Sequence, residues 1–323
     1  MLTSLDFFYP LHDNPFTQGQ ITVCNVLSDV YASGVINIDH FLVVLSLSTE
    51  MSRSQREKVA VGIMKGMESK LEEAGTVIGG GQTVFNPWVT TGGSVTAFFD
   101  EQQEGFELFS NREAVPGDVL VLTKPLGTQM VINFSGYLRK SGKYNSLKKG
   151  EDFECINSQR IDAIRDSFSF FNEDFIRKFT ERGYESMADL NLYASQCMRN
   201  QMKLGRVRAC TDVTGFGIKG HAENLARIQS RKVNFILDKF VTFENLDKVD
   251  SVKDSRARDF KLMEGYTPES SGGLLIVMSA QGASDFVSDF KEKFNRDAWV
   301  IGRVVEGDRN VVFNENGLEV EYA

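Results

Sequence analysis

Cys210-Thr211-Asp212-Val213-Thr214-Gly215-Phe216-Gly217 carries a short apolar strand into an aspartate, then into glycines, and on into a helix through Gly220 and His221. Strand ends that feed glycine-rich turns are where α/β proteins bring carboxylates and backbone N–H groups to phosphates. An aspartate there also serves as a plain turn cap, so Asp212 admits both readings. His221 reads as a packing or capping residue more readily than as a general base. The strand–turn–helix rhythm extends through the C-terminal half. Strands are expected at Arg208 to Thr211, Val233 to Leu237, Leu274 to Met278 and Trp299 to Val305, with a helix near 283–294. Helical patterns fill roughly 157–182 and 184–203, and Asn314-Glu315-Asn316-Gly317 reads as a closing hairpin turn.

The N-terminal half reads β, α, β, α, β, β. Thr3 to Tyr9 is a β-like run ended by Pro10, and Pro15 to Gly34 is helical, with Val23, Leu27, Val30 and Tyr31 on one face. His40 to Ser48 is apolar enough for a buried strand. Ser52 caps a helix whose Ala60, Ile63, Met64, Met67 and Leu71 recur at helical spacing before Gly75. A strand, a Gly79-Gly80-Gly81-Gln82-Thr83 turn and a second strand from Val89 to Phe99 follow. Val115-Pro116-Gly117-Asp118 is turn chemistry ahead of the strand Val119 to Thr123. A boundary there divides the chain into 1–115 and 116–323. Leu138 to Gly150 is polar and basic, suited to a solvated loop or to an arm facing a nucleotide.

At 323 residues the chain can build two cores. Its net charge of −8 argues against broad nucleic-acid binding, which needs a surplus of Lys and Arg. An acidic protein still binds ATP where carboxylates hold divalent cations. No apolar run reaches the roughly 18 residues of a membrane helix, and Met1 to Asp6 has no basic start followed by an apolar core. Cys24, Cys155, Cys197 and Cys210 lie far apart without metal-ligand spacing, the pattern of reduced thiols in a cytoplasmic protein. His12, His40 and His221 are too scattered to suggest a histidine metal centre, and no GxSxG nucleophile motif is present.

Asp212 has company. Asp29 lies one turn after Asn25, and at about 100° per residue the two share the helix side away from Val23 and Leu27, together with Ala32. Such a stack holds a metal or a ribose-phosphate, or is an ordinary wet helix face. Gly79 to Thr83 lets backbone approach a phosphate closely, or serves a tight bend. Asp6 and the Thr267-Pro268-Glu269-Ser270-Ser271-Gly272-Gly273 turn are equally open between structure and substrate contact.

Taken in order, six segments resemble one family. They are Thr3 to Pro10, Asn25 to Ala32, Gly80 to Trp88, Pro116 to Thr128, Thr211 to Gly217 and Pro268 to Leu275. The chain resembles selenophosphate synthetase (selenide, water dikinase), its eukaryotic branch in particular, across nearly its whole length and most weakly over 133–205. The resemblance implies an α+β fold of two mixed α/β domains, shared with aminoimidazole ribonucleotide synthetase. In that fold the N-terminal sheets of a homodimer pair into a barrel and ATP lies near the dimer interface. The family reaction makes selenophosphate, AMP and orthophosphate from ATP, selenide and water. Motif matching makes Asp29 and Asp212 Mg2+ ligands, and Asp6 and Gly80-Gly81-Gln82-Thr83 nucleotide contacts, with Asn25 and Asp29 joining that set. Neither nucleic acid nor membrane is implied as a partner.

The departures from the family count too. Its members carry, before the Asp6 motif, a glycine-rich segment with a cysteine or selenocysteine, a lysine and a further metal-binding aspartate; none stands between Met1 and Asp6. Losing the lysine alone is expected to cost about 10²-fold or more in phosphoryl-transfer rate. This polypeptide is therefore expected to be inactive or nearly so, as a shortened form of the enzyme. The alternative is a natural non-catalytic paralogue that acts by binding partners. A third reading is another superfamily member, a purine-pathway synthetase or a hydrogenase-maturation protein. The tail Leu318 to Ala323 has no cysteine, which argues against the maturation protein.

Overall fold

The computed structural model describes residues 1–104, 108–143, 158–252 and 259–323. The N-terminal unit runs β1 (Leu2–Phe8), α1 (Pro15–Ala32), β2 (His40–Ser48), α2 (Arg53–Glu73), β3 (Ile78–Asn86), β4 (Thr90–Ala97) and a short α3 (Glu101–Glu104). Its sheet has the order β1-β4-β2-β3, antiparallel except for the β2–β3 pair. Alternation along β2 sends Phe41, Val43, Leu45 and Leu47 inward, where they pack with Val23, Val26, Leu27, Ile63 and Met67 of the two long helices. Ser52 forms a full capping box with Gln55 and starts α2 as the sequence suggests.

The C-terminal unit begins with β5 (Asp118–Leu122), α4 (Thr128–Lys143), α5 (Ser158–Ser167), α6 (Glu173–Met187), α7 (Leu192–Lys203), β6 (Val207–Asp212) and α8 (Gly217–Arg227). It continues through β7 (Val233–Leu237), β8 (Lys239–Thr242), α9 (Leu246–Ser251), β9 (Leu274–Ser279) and α10 (Ala280–Phe294). It closes with β10 (Trp299–Glu306), β11 (Val311–Phe313) and β12 (Glu319–Tyr322). Six strands form one sheet in the order β11-β7-β10-β5-β9-β6. Leu120, Leu122, Leu275 and Val277 point to α4, α6 and α8, whereas Val121, Ile276 and Met278 point to α7 and α10. A sheet covered on both faces explains why these strands read as unbroken apolar runs.

Helix α1 belongs to both units. Its Ile21 sits in the core built around α4 and α6, its Val23, Cys24, Val26 and Leu27 in the N-terminal core, and its Ala32 against α7. The helix is sealed on nearly every side.

Four local expectations change. Gly79 to Thr83 is strand, not turn: β3 runs through it, paired in parallel with β2, with a register shift between Phe41 and Leu42. The glycines serve close approach, because a Cβ on Gly81, at φ +136°, would stand 2.2 Å from the Val43 carbonyl oxygen. The turn at Asn314 to Gly317 forms, but its flanking strands do not make a hairpin: β11 pairs with β7 and β12 with β8. The helical stretch breaks at 188–191 rather than at Gly183, which stays inside α6 because Val131 packs onto it. A further break falls at 168–172, where Asn172 caps α6 through Phe175 N–H. Of the basic stretch 138–150, residues up to 143 continue α4, and 144–150 lie outside the described residues.

Gly81→Ala is expected to lose about 3 kcal/mol of stability, from left-handed backbone strain and a clash with β2. Urea unfolding followed by circular dichroism measures this, and a loss below about 1 kcal/mol would show that the strand slides apart at little cost.

Candidate functional site

Three carboxylates from three elements meet where the two units join. Asp6 lies on β1, and strand alternation places it, like Ser4, on the side of the sheet that α1 covers. Asp29 lies near the C-terminal end of α1 and accepts a 2.6 Å hydrogen bond from Ser4 Oγ. Asp212 is the last residue of β6 and is only 6% exposed. Their electrostatics record the convergence. Burial pushes the Asp212 carboxyl up to about 7, the Asp29 and Asp6 charges add to the rise, and a hydrogen bond with Ser28 opposes it. Asp6 is raised by burial and then by Asp29. The carboxylates repel one another in a half-dry cleft, an arrangement that a divalent cation relieves. Among the described residues, no three His, Cys, Asp or Glu side chains are grouped closely enough, as they stand, to hold a metal ion.

Neighbouring loops are clamped around this centre. Asn25 Oδ1 accepts from Ser271 N–H at 3.0 Å, tying α1 to the 267–273 loop. Glu269 on that loop is buried and accepts from Gly127 N–H, Thr128 N–H and Thr128 Oγ at 2.8, 2.8 and 2.6 Å. It thereby supplies the acidic partner for the first turn of α4. Burial lifts its carboxyl to about 7 against the pull of those donors. Lys124, 6% exposed, donates to the carbonyls of Asp189 and Ser271 at 2.7 and 2.9 Å, and burial lowers its pKa. His221 Nε2 accepts from Thr214 N–H at 3.0 Å, and burial lowers its pKa, so the ring acts as a neutral brace for the 212–217 turn. That is the capping role.

Asp6, Asp29, Asp212 and Asn25 are therefore brought together, whereas Gly80, Gly81, Gln82 and Thr83 are not. The latter lie on β3, at the opposite edge of the sheet from β1, about 14 Å away at the usual strand spacing. Sequence reading passed over Ser4, Ser28, Lys124 and Asn191, and left Glu269 undecided between turn and contact. A lone serine or asparagine carries no signal of its own; Ser4, Ser28, Lys124 and Glu269 lie in the segments that carry the family resemblance, and only Asn191 lies outside them. A cleft of about 570 Å³ lies elsewhere: Gln20 lines it, and Gln20 stands half a turn around α1 from Asp29. Of the cations that line it, Lys70 pairs with Glu73 and Arg296 with Asp189, while Lys124 and Arg182 donate to carbonyl oxygens.

The fold places the chain in a class. Residues 1–98 match the family model described as AIR synthase related protein, N-terminal domain, and residues 115–314 match its C-terminal domain. Among solved structures it is similar to thiamine monophosphate kinase from Aquifex aeolicus, at TM-score 0.62 and 15% identity over 97% of this chain and 87% of that one. E. coli HypE, a hydrogenase maturation protein, is similar at TM-score 0.62 and 15% identity, over 96% and 81%. At such identities the likeness is one of fold.

Closer relatives narrow the class. A probable selenide, water dikinase of Caenorhabditis elegans is 36% identical over 305 residues, covering 94% of this chain and 73% of the relative. Mouse selenide, water dikinase 2 is 36% identical over 96% of this chain and 62% of its own length. The Dictyostelium discoideum selenide, water dikinase is 35% identical over 98% and 78%. The chain belongs to the selenide, water dikinase (selenophosphate synthetase) family, and it spans between 62% and 78% of these relatives' lengths.

The raised Asp212 sets a pH dependence. Its folded pKa of about 7 exceeds the ordinary 3.8, so the native state keeps a proton that the unfolded chain has lost. Stability of the metal-free chain is expected to fall as pH rises from about 4 through 7. Urea midpoints at pH 5.5, 6.5 and 7.5 measure the slope. Asp212→Asn should make the slope shallower, leaving the part that the raised Glu269 carboxyl contributes, and an unchanged slope in that variant would remove Asp212 as a source.

Proposed function

We propose that the chain binds ATP through Mg2+ held at Asp29 and Asp212, in the service of ATP-dependent selenophosphate synthesis from selenide and water, with AMP and orthophosphate as products, for selenocysteine biosynthesis. One observation carries the reading: Asp29 and Asp212, 183 positions apart in sequence, come close enough in the fold for the Asp29 charge to help raise the Asp212 carboxyl. The donor set fits magnesium, which takes hard oxygens and leaves several positions to water and phosphate, so an incomplete protein cage is what such a site needs. Bound there, the cation would offset triphosphate charge.

This chain's own residues orient the cleft. Ser4 fixes Asp29, and Asn25 holds the 267–273 loop at the mouth. Asp6, Asn25 and the Gly80-Gly81-Gln82-Thr83 strand are assigned to nucleotide contact. A homodimer is part of the proposal. The sheet face away from α1 exposes Leu5 by 59% and Phe7 by 62%, with Leu42 beside them, an apolar surface suited to a second copy. A site shared across that dimer would account for the distance between Gly80–Thr83 and the carboxylates within one chain. Buried, unbridged Cys24, Cys197 and Cys210 suit a reducing, cytoplasmic setting. Among the described residues no helix is long and apolar enough to cross a membrane.

Calorimetry with ATP is expected to show binding only with Mg2+, weakened more than about tenfold by Asp29→Ala and by Asp212→Ala. Unchanged affinity in both variants would remove the metal assignment. Sedimentation should show a dimer at micromolar concentration that Phe7→Glu converts to monomer; a monomeric parent chain would exclude the barrel.

A further inference from the structure

Among the described residues, Lys124 is the only lysine or arginine that is buried, at 6% exposure. An ammonium offers three N–H groups and no lone pair. Two of those of Lys124 go to main-chain oxygens, Asp189 O at 2.7 Å and Ser271 O at 2.9 Å. No carboxylate among the described residues pairs with it. The Asp189 carboxylate, whose charge acts on it, is held instead by Arg296 in a two-point pair at 2.6 and 2.8 Å. A buried cation met only by carbonyl dipoles is costly, because dipoles replace less of its lost hydration than a full negative charge does.

The same side chain lines the cleft of about 570 Å³, which Gln20 and Lys70 of the N-terminal unit share with residues of the C-terminal unit. That volume suits a small ligand. Most of the charges around it are matched. Lys70 pairs with Glu73, Arg296 with Asp189, and Asp297 with Lys291. Exposed Arg182 and Glu185 stand three residues apart on α6 and cancel in the count. The charge left over is the Lys124 ammonium, on the cleft floor. Pro125, Phe243 and Trp299 supply apolar wall beside it. Such a site suits an anionic head that replaces the missing carboxylate, carried on a compact apolar body that displaces water from the wall.

We propose that this cleft is a second ligand site, for a small organic anion whose oxyanion head takes the third N–H of Lys124 and whose apolar body rests on Trp299. Gln20, on its wall, stands half a turn around α1 from Asp29. The site is therefore separate from the carboxylate cleft and does not depend on how that cleft is read. Phosphate monoesters and carboxylates share the head chemistry, and the experiment compares them.

Trp299 reports on occupancy. Trp88 is the only other tryptophan, so the full chain carrying Trp88→Phe has a single fluorophore, at the cleft. Titration with phenyl phosphate or benzoate is expected to change its emission and saturate, with a dissociation constant near or below about 1 mM. The tighter binder of the two identifies the head. Benzyl alcohol, similar in shape and uncharged, should bind at least about tenfold more weakly. Lys124→Met in the same background is expected to weaken anion binding by about 10- to 100-fold. Saturating MgATP should leave the bound anion in place. No saturation by about 10 mM, equal affinity for benzyl alcohol, or parent-like binding in Lys124→Met would each overturn the site. Displacement by MgATP would put the anion in the nucleotide's place and overturn it as well. If Lys124→Met does not fold, Gln20→Glu decides. It keeps the side chain's shape, adds a negative charge to the cleft wall and should weaken binding by about fivefold or more. Parent-like binding in that variant refutes the proposal.

Discussion

Helix α1 has to be buried on almost every side, and the site is a consequence of that constraint. Ile21, Val23, Val26, Leu27 and Val30 are each at most 2% exposed. At about 1.5–3 kcal/mol for each such side chain, their burial contributes on the order of 10 kcal/mol. One rigid element thereby belongs to the cores of both units. Asn25 and Asp29 ride on it, so apolar packing sets their positions relative to β6, and the Asn25–Ser271 hydrogen bond then ties the helix to the 267–273 loop.

That hierarchy explains how the fold tolerates crowded carboxylates. Raising an aspartate to about 7 costs a few kcal/mol at most once it ionises. The apolar packing of α1 exceeds this, so the cleft can be held open in a configuration that repels itself. Hydrogen bonds then refine the orientations: Ser4 to Asp29, Ser271 N–H to Asn25, Asn191 to Ser28, and the start of α4 to Glu269. Removing any of these leaves the helix where it is and changes where an oxygen points.

The comparison of sequence with structure turns on the same distinction. His40–Ser48 and Val233–Leu237 were legible to the residue because β-branched and apolar runs of that length have few alternatives. Ser52 announced a helix start, and Asp212 announced a strand end feeding a helix. The glycine run at 79–81 was misread because glycine marks turns and close strand approach alike, and only the presence of β2 alongside decides between them. The terminal turn was real, but the strands leaving it found partners in β7 and β8 that no local pattern names.

By itself, the sequence determined the elements, their order, the family likeness and the two aspartates most marked by their surroundings, since these follow from short-range propensity and from motifs read in register. Only the tertiary structure decided that Asp6, Asp29 and Asp212 crowd one cleft, that Gly80 to Thr83 stand across the sheet from them, and that Asn191 reaches both Ser28 and Gly272. The reason is physical: hydrogen bonds and charge repulsion act over a few ångströms of space, and positions 28, 191 and 272 become neighbours only after both cores have closed on α1.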